Sequence, residues 1–175
     1  SHTCRLWSAT DILMLEPWEL SGHQYIAKLG PDVVLKSTTP EDLITHMNQK
    51  RFQRKHLKTL LLDQGFFAGI GNYLRSEVLF TAQLHPDRTV ASLDDEEKLR
   101  LAEQALFLSQ QSLKVPGITI DLELYDQLRD IGLTRGQARH WVFTRNERAC
   151  HQCGDLIVHS RPGGRRLDFC PRCQS

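Results

Sequence analysis

No stretch of this sequence approaches the ~18 consecutive apolar residues that a membrane span needs. The opening residues, Ser1-His2-Thr3-Cys4-Arg5, are followed by no apolar core, so no secretory signal is read there. A charge excess is missing too: 22 Lys and Arg stand against 21 Asp and Glu, a net of +1. That excludes a globally polybasic protein but leaves room for a local basic face. Internal repeats and low-complexity tracts are also absent. His23, His46, His56, His140, His151 and His159 have no paired spacing, so no chemistry is assigned to them. These absences together predict a soluble, cytoplasmic protein with no membrane partner.

What is present, 175 residues of which 40% are hydrophobic, suffices for one ordinary domain or a domain with a small satellite. Residues 4–8 alternate like a strand with no partner strand nearby, which suggests missing sequence upstream. Thr39-Pro40-Glu41-Asp42 is a helix start, with Thr39 as N-cap and Pro40 in the first helical position. A helix to about Asn48 follows. Residues 50–58 then hold five Lys or Arg and no acid. Leu57, Leu60, Leu61, Gln64 and Ala68 are spaced as one face of a helix that ends at Gly69-Ile70-Gly71-Asn72. A second helix starts there, with Leu74, Val78 and Leu79 inward. Ser92-Leu93-Asp94-Asp95 reads as a capping box with Ser92 as N-cap, before a helix burying Leu99, Ala102, Leu106 and Leu113. A short helix runs from Asp121 to about Gly132.

Charge is segregated along the chain. Residues 88–130 carry nine acids and five basic residues, whereas residues 135–175 carry eight arginines and three acids. The acidic middle is expected to face away from whatever the basic parts bind. Cys4 reads as a strand thiol, and Trp7, Trp18 and Trp141 as packing residues.

The other four cysteines carry the clearest chemistry. Cys150-x-x-Cys153 and Cys170-x-x-Cys173 are separated by 16 residues, enough for a β-hairpin that returns the second pair to the first. Clustered cysteines in a reducing compartment favour metal over disulfides. Four thiolates suit one tetrahedral Zn2+, and a site with four protein ligands is structural. Arg161-Pro162-Gly163-Gly164 is the expected hairpin turn, with Arg165 and Arg166 opening the return strand on opposite faces. An arginine there suits phosphate, because its planar fork binds oxygen pairs.

The run Leu61-Leu62-Asp63-Gln64-Gly65-Phe66-Phe67-Ala68-Gly69-Ile70-Gly71-Asn72-Tyr73-Leu74-Arg75-Ser76-Glu77 resembles the helix-two-turns-helix signature of the formamidopyrimidine-DNA glycosylase/endonuclease VIII family. Phe169-Cys170-Pro171-Arg172-Cys173-Gln174 resembles that family's C-terminal zinc finger, and Leu29-Gly30-Pro31-Asp32-Val33 is a third similar block. Tyr73-Leu74-Arg75 leans towards the endonuclease VIII branch. The resemblance implies a mainly α fold: a residual last strand of a missing β-sandwich (1–10), a helical DNA-binding domain (11–140) and a β-hairpin zinc finger (141–175). It implies the DNA-binding part of a base-excision-repair glycosylase/AP lyase, acting on oxidised bases and contacting duplex DNA, damaged or abasic, as a monomer.

By the same resemblance Gly71 and Asn72 bind phosphate from the turn, Lys28 and Lys58 occupy basic DNA-binding positions, and Arg165 contacts phosphate and assists δ-elimination. An asparagine at a helix N-terminus independently offers N–H donors to an anion. Arginine is a poor proton donor, so the δ-elimination role reads as electrostatic stabilisation of the leaving phosphate. The family's nucleophile is an N-terminal proline followed by glutamate, assisted by a lysine of the β-sandwich. This chain starts Ser1-His2, so none of those three roles falls on its residues, and it reads as a fragment or a naturally shortened relative. A non-catalytic DNA- or RNA-binding module and a zinc-ribbon adaptor remain alternatives.

Overall fold

The computed structural model describes residues 12–175. The expected strand at residues 4–8, with Cys4 and Trp7, lies outside the described residues. Two short 3-10 turns, Leu20–Gly22 and Ile26–Lys28, precede the first helix. Trp18, expected to pack, is 76% exposed.

Helix α1 (Pro40–Met47) starts where expected. Thr39 Oγ1 accepts from the Asp42 N–H at 3.2 Å, and the Asp42 carboxylate accepts from the Thr39 N–H at 2.9 Å. It buries Leu43 and Met47. The next helix departs from expectation. Helix α2 is a single turn (Leu57–Leu60), not a helix reaching Ala68. Leu57, Leu60 and Leu61 are buried as predicted, but side chains take over the backbone beyond them. Asp63 Oδ1 accepts from the Gly65 N–H at 3.0 Å. Gln64 Oε1 accepts from the Gly69 N–H, and its Nε2 donates to the Ile70 carbonyl, both at 3.0 Å. Gln64 is thus the organiser of two turns rather than part of an apolar stripe. Gly69 sits at φ +99°, a conformation other residues adopt only under strain. The block at residues 29–33 wraps this loop: the Gly30 N–H donates to the Gln64 carbonyl, and Asp32 pairs with Ala68 in a parallel bridge.

Helix α3 (Asn72–Thr81) buries Leu74, Val78 and Leu79 as predicted, and with them Arg75, Ser76 and Glu77. Helix α4 (Asp95–Lys114) is capped by Asp94, not Ser92. Asp94 Oδ1 accepts from the Glu97 N–H at 2.8 Å, and Glu97 accepts in return from the Asp94 N–H at 3.0 Å. The Ser92 hydroxyl instead donates to the Thr89 carbonyl, closing the preceding 3-10 turn. Ala102 and Leu106 are buried with Leu101, Ala105 and Leu108, while Leu99 and Leu113 face outward. Helix α5 (Leu122–Asp130) starts at Asp121 as expected, with that carboxylate as its cap, and is followed by the short α6 (Arg135–Ala138). Strands β1 (Val158–Ser160) and β2 (Leu167–Phe169) pair antiparallel, His159 opposite Asp168. Arg165 and Arg166 lie between the 3-10 turn Pro162–Gly164 and β2 rather than in the strand.

The main core gathers α1 to α4 around Phe52, Phe66, Leu79 and Leu101. A second cluster joins Phe80 of α3 to Val142, Ile157, Cys150 and Cys170. A third holds α5 and α6 through Ile118, Ile120, Leu128 and Ala138. The mainly α fold with a small C-terminal hairpin is as the sequence predicts.

Candidate functional site

The four sulfurs of Cys150, Cys153, Cys170 and Cys173 all lie within 4.8 Å of one another. Sγ of Cys150 and Cys173 are 3.9 Å apart, and those of Cys153 and Cys170 are 3.5 Å apart. All four thiols are free. Tetrahedral ligands at ~2.3 Å from one ion stand about 3.8 Å apart, so this cluster fits a metal ion. Backbone turns hold it: the Cys150 N–H donates to the Asp155 carbonyl at 2.7 Å, and the Cys170 N–H to Gln174 Oε1 at 2.8 Å. The buried Gln174 amide also donates to the Leu84 carbonyl at 2.9 Å, tying the cluster to the helical part.

The turn before α3 leaves donors free. No side chain caps this helix, and its first backbone bond runs from the Arg75 N–H to the Gly71 carbonyl. The N–H groups of Asn72, Tyr73 and Leu74 therefore precede the helical ladder. Gly71 leaves open space beside them: a Cβ there would meet nothing within 4 Å.

Arg75, to which the sequence assigns no role beyond its place in the motif, joins this turn to the rest. Its guanidinium is fully buried. Nη1 donates to the Lys58 carbonyl at 2.7 Å. Nη2 is shared among Asn72 Oδ1 at 3.0 Å and the carbonyls of Arg165 and Arg166 at 3.2 and 2.8 Å. Three predicted residues from distant parts of the chain, Lys58, Asn72 and Arg165, are thus brought to one side chain. Asn72 gives Arg75 its oxygen, which leaves its NH2 group as the free donor. The Arg165 side chain is exposed. Arg166 is committed elsewhere: its Nε and Nη2 grip the buried Asp168 carboxylate at 2.7 and 2.9 Å. Asp168 in turn accepts from the Thr144 N–H at 3.0 Å, and its own N–H donates to Ser76 of α3.

The basic positions fare unequally. Lys28 is exposed at the end of its 3-10 turn, its carbonyl against Gly65. The Lys58 amine is hydrogen-bonded to Asp87 and holds that carboxyl below its usual range. Lys55 pairs with Asp63 at 3.3 Å, and Arg51 stacks over the Phe52 ring. The run at residues 50–58 is therefore partly neutralised, less of a bare basic face than its composition implies.

Glu77, also unflagged by the sequence, is fully buried and accepts four hydrogen bonds. They come from Thr119 Oγ1 at 2.5 Å and from the N–H groups of Trp141, Val142 and Phe143 at 2.7, 2.9 and 2.9 Å. Burial pushes its pKa up, and these donors oppose the push. It closes the signature run at residues 61–77, but no local pattern gives its role, because its backbone partners, Trp141, Val142 and Phe143, lie in a distant part of the chain.

Residues 29–123 match the family described as the formamidopyrimidine-DNA glycosylase H2TH domain, more than half of the chain. The chain belongs to the formamidopyrimidine-DNA glycosylase/endonuclease VIII family. Among its relatives, Endonuclease 8 of Pectobacterium carotovorum subsp. carotovorum (strain PC1) is 36% identical over 169 residues, covering 97% of this chain and 61% of the relative. Endonuclease 8 of Salmonella arizonae is 34% identical over 172 residues, covering 98% and 62%. The chain thus spans about three fifths of the length of these relatives. The crystal structure of the MutM (Fpg) protein from Thermus thermophilus is similar, with a TM-score of 0.67 and 34% identity over 85% of this chain and 55% of that one. The Lactococcus lactis Fpg, solved in complex with an abasic-site-containing DNA, shares the fold at a TM-score of 0.71 and 23% identity, over 92% and 57%. Among the described residues no helix is long and apolar enough to cross a membrane.

Proposed function

We propose that this chain is the DNA-binding portion of a base-excision-repair DNA glycosylase/AP lyase that acts on oxidised bases. By itself it binds duplex DNA, damaged or abasic, through phosphates. The observation that carries this reading is the convergence on Arg75 of the Asn72 amide and the Arg165 segment. It sets an outward NH2 group, an uncapped helix N-terminus and an exposed guanidinium side by side, all of them donors and none an acceptor. Such a set suits a backbone anion. That the Lactococcus lactis relative was solved with abasic-site DNA supports the choice of ligand.

Asn72, the Gly71 turn, Lys28 and Arg165 are the proposed phosphate contacts. Lys58 contributes only by exchanging Asp87 for phosphate. Within a whole glycosylase/AP lyase Arg165 would stabilise the departing phosphate of δ-elimination. The ion of the four-cysteine cluster is assigned as one Zn2+, which supplies folding energy and no open coordination position. We take residues 11–140 as the DNA-binding domain and 141–175 as the zinc finger, acting as a monomer on the DNA of the bacterial cytoplasm.

Affinity for a short duplex with a central abasic analogue, titrated at several salt concentrations, tests this. Asn72→Ala and Arg165→Ala should each weaken binding about tenfold. Arg165→Ala should also reduce the log–log salt slope by roughly one, because one cation leaves a phosphate; Asn72→Ala should leave the slope unchanged. Unaltered affinity in both variants would remove the site.

A further inference from the structure

Arg75 does more than tie segments together. Its side chain is fully buried, yet among the described residues no carboxylate lies within ion-pair distance of it. Burial, reinforced by the positive charge of Arg165, lowers the Arg75 pKa to about 10. The Arg75 Nε–H has no hydrogen-bond partner at all. The residue also stands at the N-terminal end of α3, where the helix dipole disfavours a positive charge. A buried cation ordinarily persists only if paired, because desolvation costs several kcal/mol. This one has carbonyl and amide oxygens for company and the wrong end of a helix beneath it. The electrostatic costs, those of the Arg165 charge and of the helix end included, shrink if an anion settles over the Asn72–Arg165 surface.

We infer that Arg75 is a positioning residue for phosphate. It fixes Asn72 with its oxygen inward and its NH2 outward, and its charge is left uncompensated so that a DNA phosphate completes the pairing. This rests on the DNA-binding reading above and extends it to a residue that does not itself reach the surface. The site is held at a stability cost that ligand binding relieves, a trade-off seen where function requires unpaired charge.

Placing a carboxylate where the phosphate would act tests the inference. Asn72→Asp sets an anion against the Arg75 fork, while Asn72→Ala removes the amide without replacing the charge. The metal-loaded chain carrying Asn72→Asp should melt roughly 4 °C or more above the parent. It should bind the abasic duplex about tenfold more weakly than Asn72→Ala does, because the anion now occupies and repels the phosphate position. An aspartate at a helix start is itself mildly stabilising. The comparison is therefore repeated on an Arg75→Met background, where the gain in melting temperature should shrink by more than half. If Arg75→Met does not fold, the gain is remeasured at high salt, where the exposed helix-dipole effect is screened and a buried ion pair is not; a gain that disappears there overturns the role of Arg75. A parent chain that fails to bind duplex DNA at low salt overturns the functional reading itself. A parent that binds, with Asn72→Asp melting no higher, overturns only the role of Arg75.

Discussion

A Cβ on Gly30 would lie 2.2 Å from the Phe66 carbonyl oxygen and 2.7 Å from its carbon, both backbone atoms that cannot swing aside. Gly30→Ala should therefore cost about 3 kcal/mol in urea unfolding, since the loop carrying the turn before α3 must shift. Gly136, inside α6 with nothing within 4 Å of its Cβ position, is the contrasting case. Gly136→Ala should stabilise by about 0.5 kcal/mol, because the unfolded chain loses freedom and the folded one meets no obstacle. Equal effects at the two sites would contradict this loop packing. Both glycines look alike in the sequence, and only the approach of residue 66 separates them. The same holds for Gln64. Its spacing places it on a helical face, but its amide finds the Gly69 N–H and the Ile70 carbonyl only once the chain has turned.

Among the elements, local chemistry decided the helix starts. Thr39 with Asp42 and Asp121 with the N–H groups of residues 123 and 124 are short-range caps, legible because donor and acceptor are two or three residues apart. Ser92 misled because two capping residues lie within three positions, and the backbone chose Asp94 with Glu97. The four-cysteine hairpin is an element of another kind. It has two three-residue strands and a cluster of apolar side chains that includes its own ligands. Removing the proposed ion with a chelator should unfold residues 145–175 and leave most helical circular dichroism, which comes from α1 to α4. Duplex affinity should fall with it by about tenfold or more, because the carbonyls of Arg165 and Arg166 would leave Arg75. Apo-protein that binds the duplex unchanged would remove the hairpin from the interface.

For the molecule as a whole, the joint between the helical part and the hairpin is the decisive feature. Glu77, Thr119, His140 and the N–H groups of Trp141, Val142 and Phe143 form one buried polar cluster there. Burial, reinforced by Arg139, lowers the His140 pKa to about 3. The unfolded chain takes up that proton near ~6.5. Below this value the unfolded state binds more protons than the folded one. The His140 contribution to stability is therefore complete above about pH 6.5 and is lost as pH drops towards 3, by up to about 1.4 kcal/mol per pH unit. His140→Phe should flatten that slope relative to the parent in urea unfolding across pH ~7 to ~5, and an unchanged slope would place the proton elsewhere. Charge is arranged on the same scale. The acidic start of α4 lies beside the far end of α3, where Arg100 donates to the Ala82 carbonyl, about 15 Å along the helix from Asn72. By itself the sequence determined the helix starts at Pro40 and Leu122, the glycine turn before Asn72 and the two cysteine pairs, because each depends on neighbours a few residues away. Tertiary structure decided the single-turn α2, the partial neutralisation of residues 50–58 and the roles of Arg75, Glu77 and Asp168. Those depend on partners tens of residues distant, whose approach no local pattern encodes.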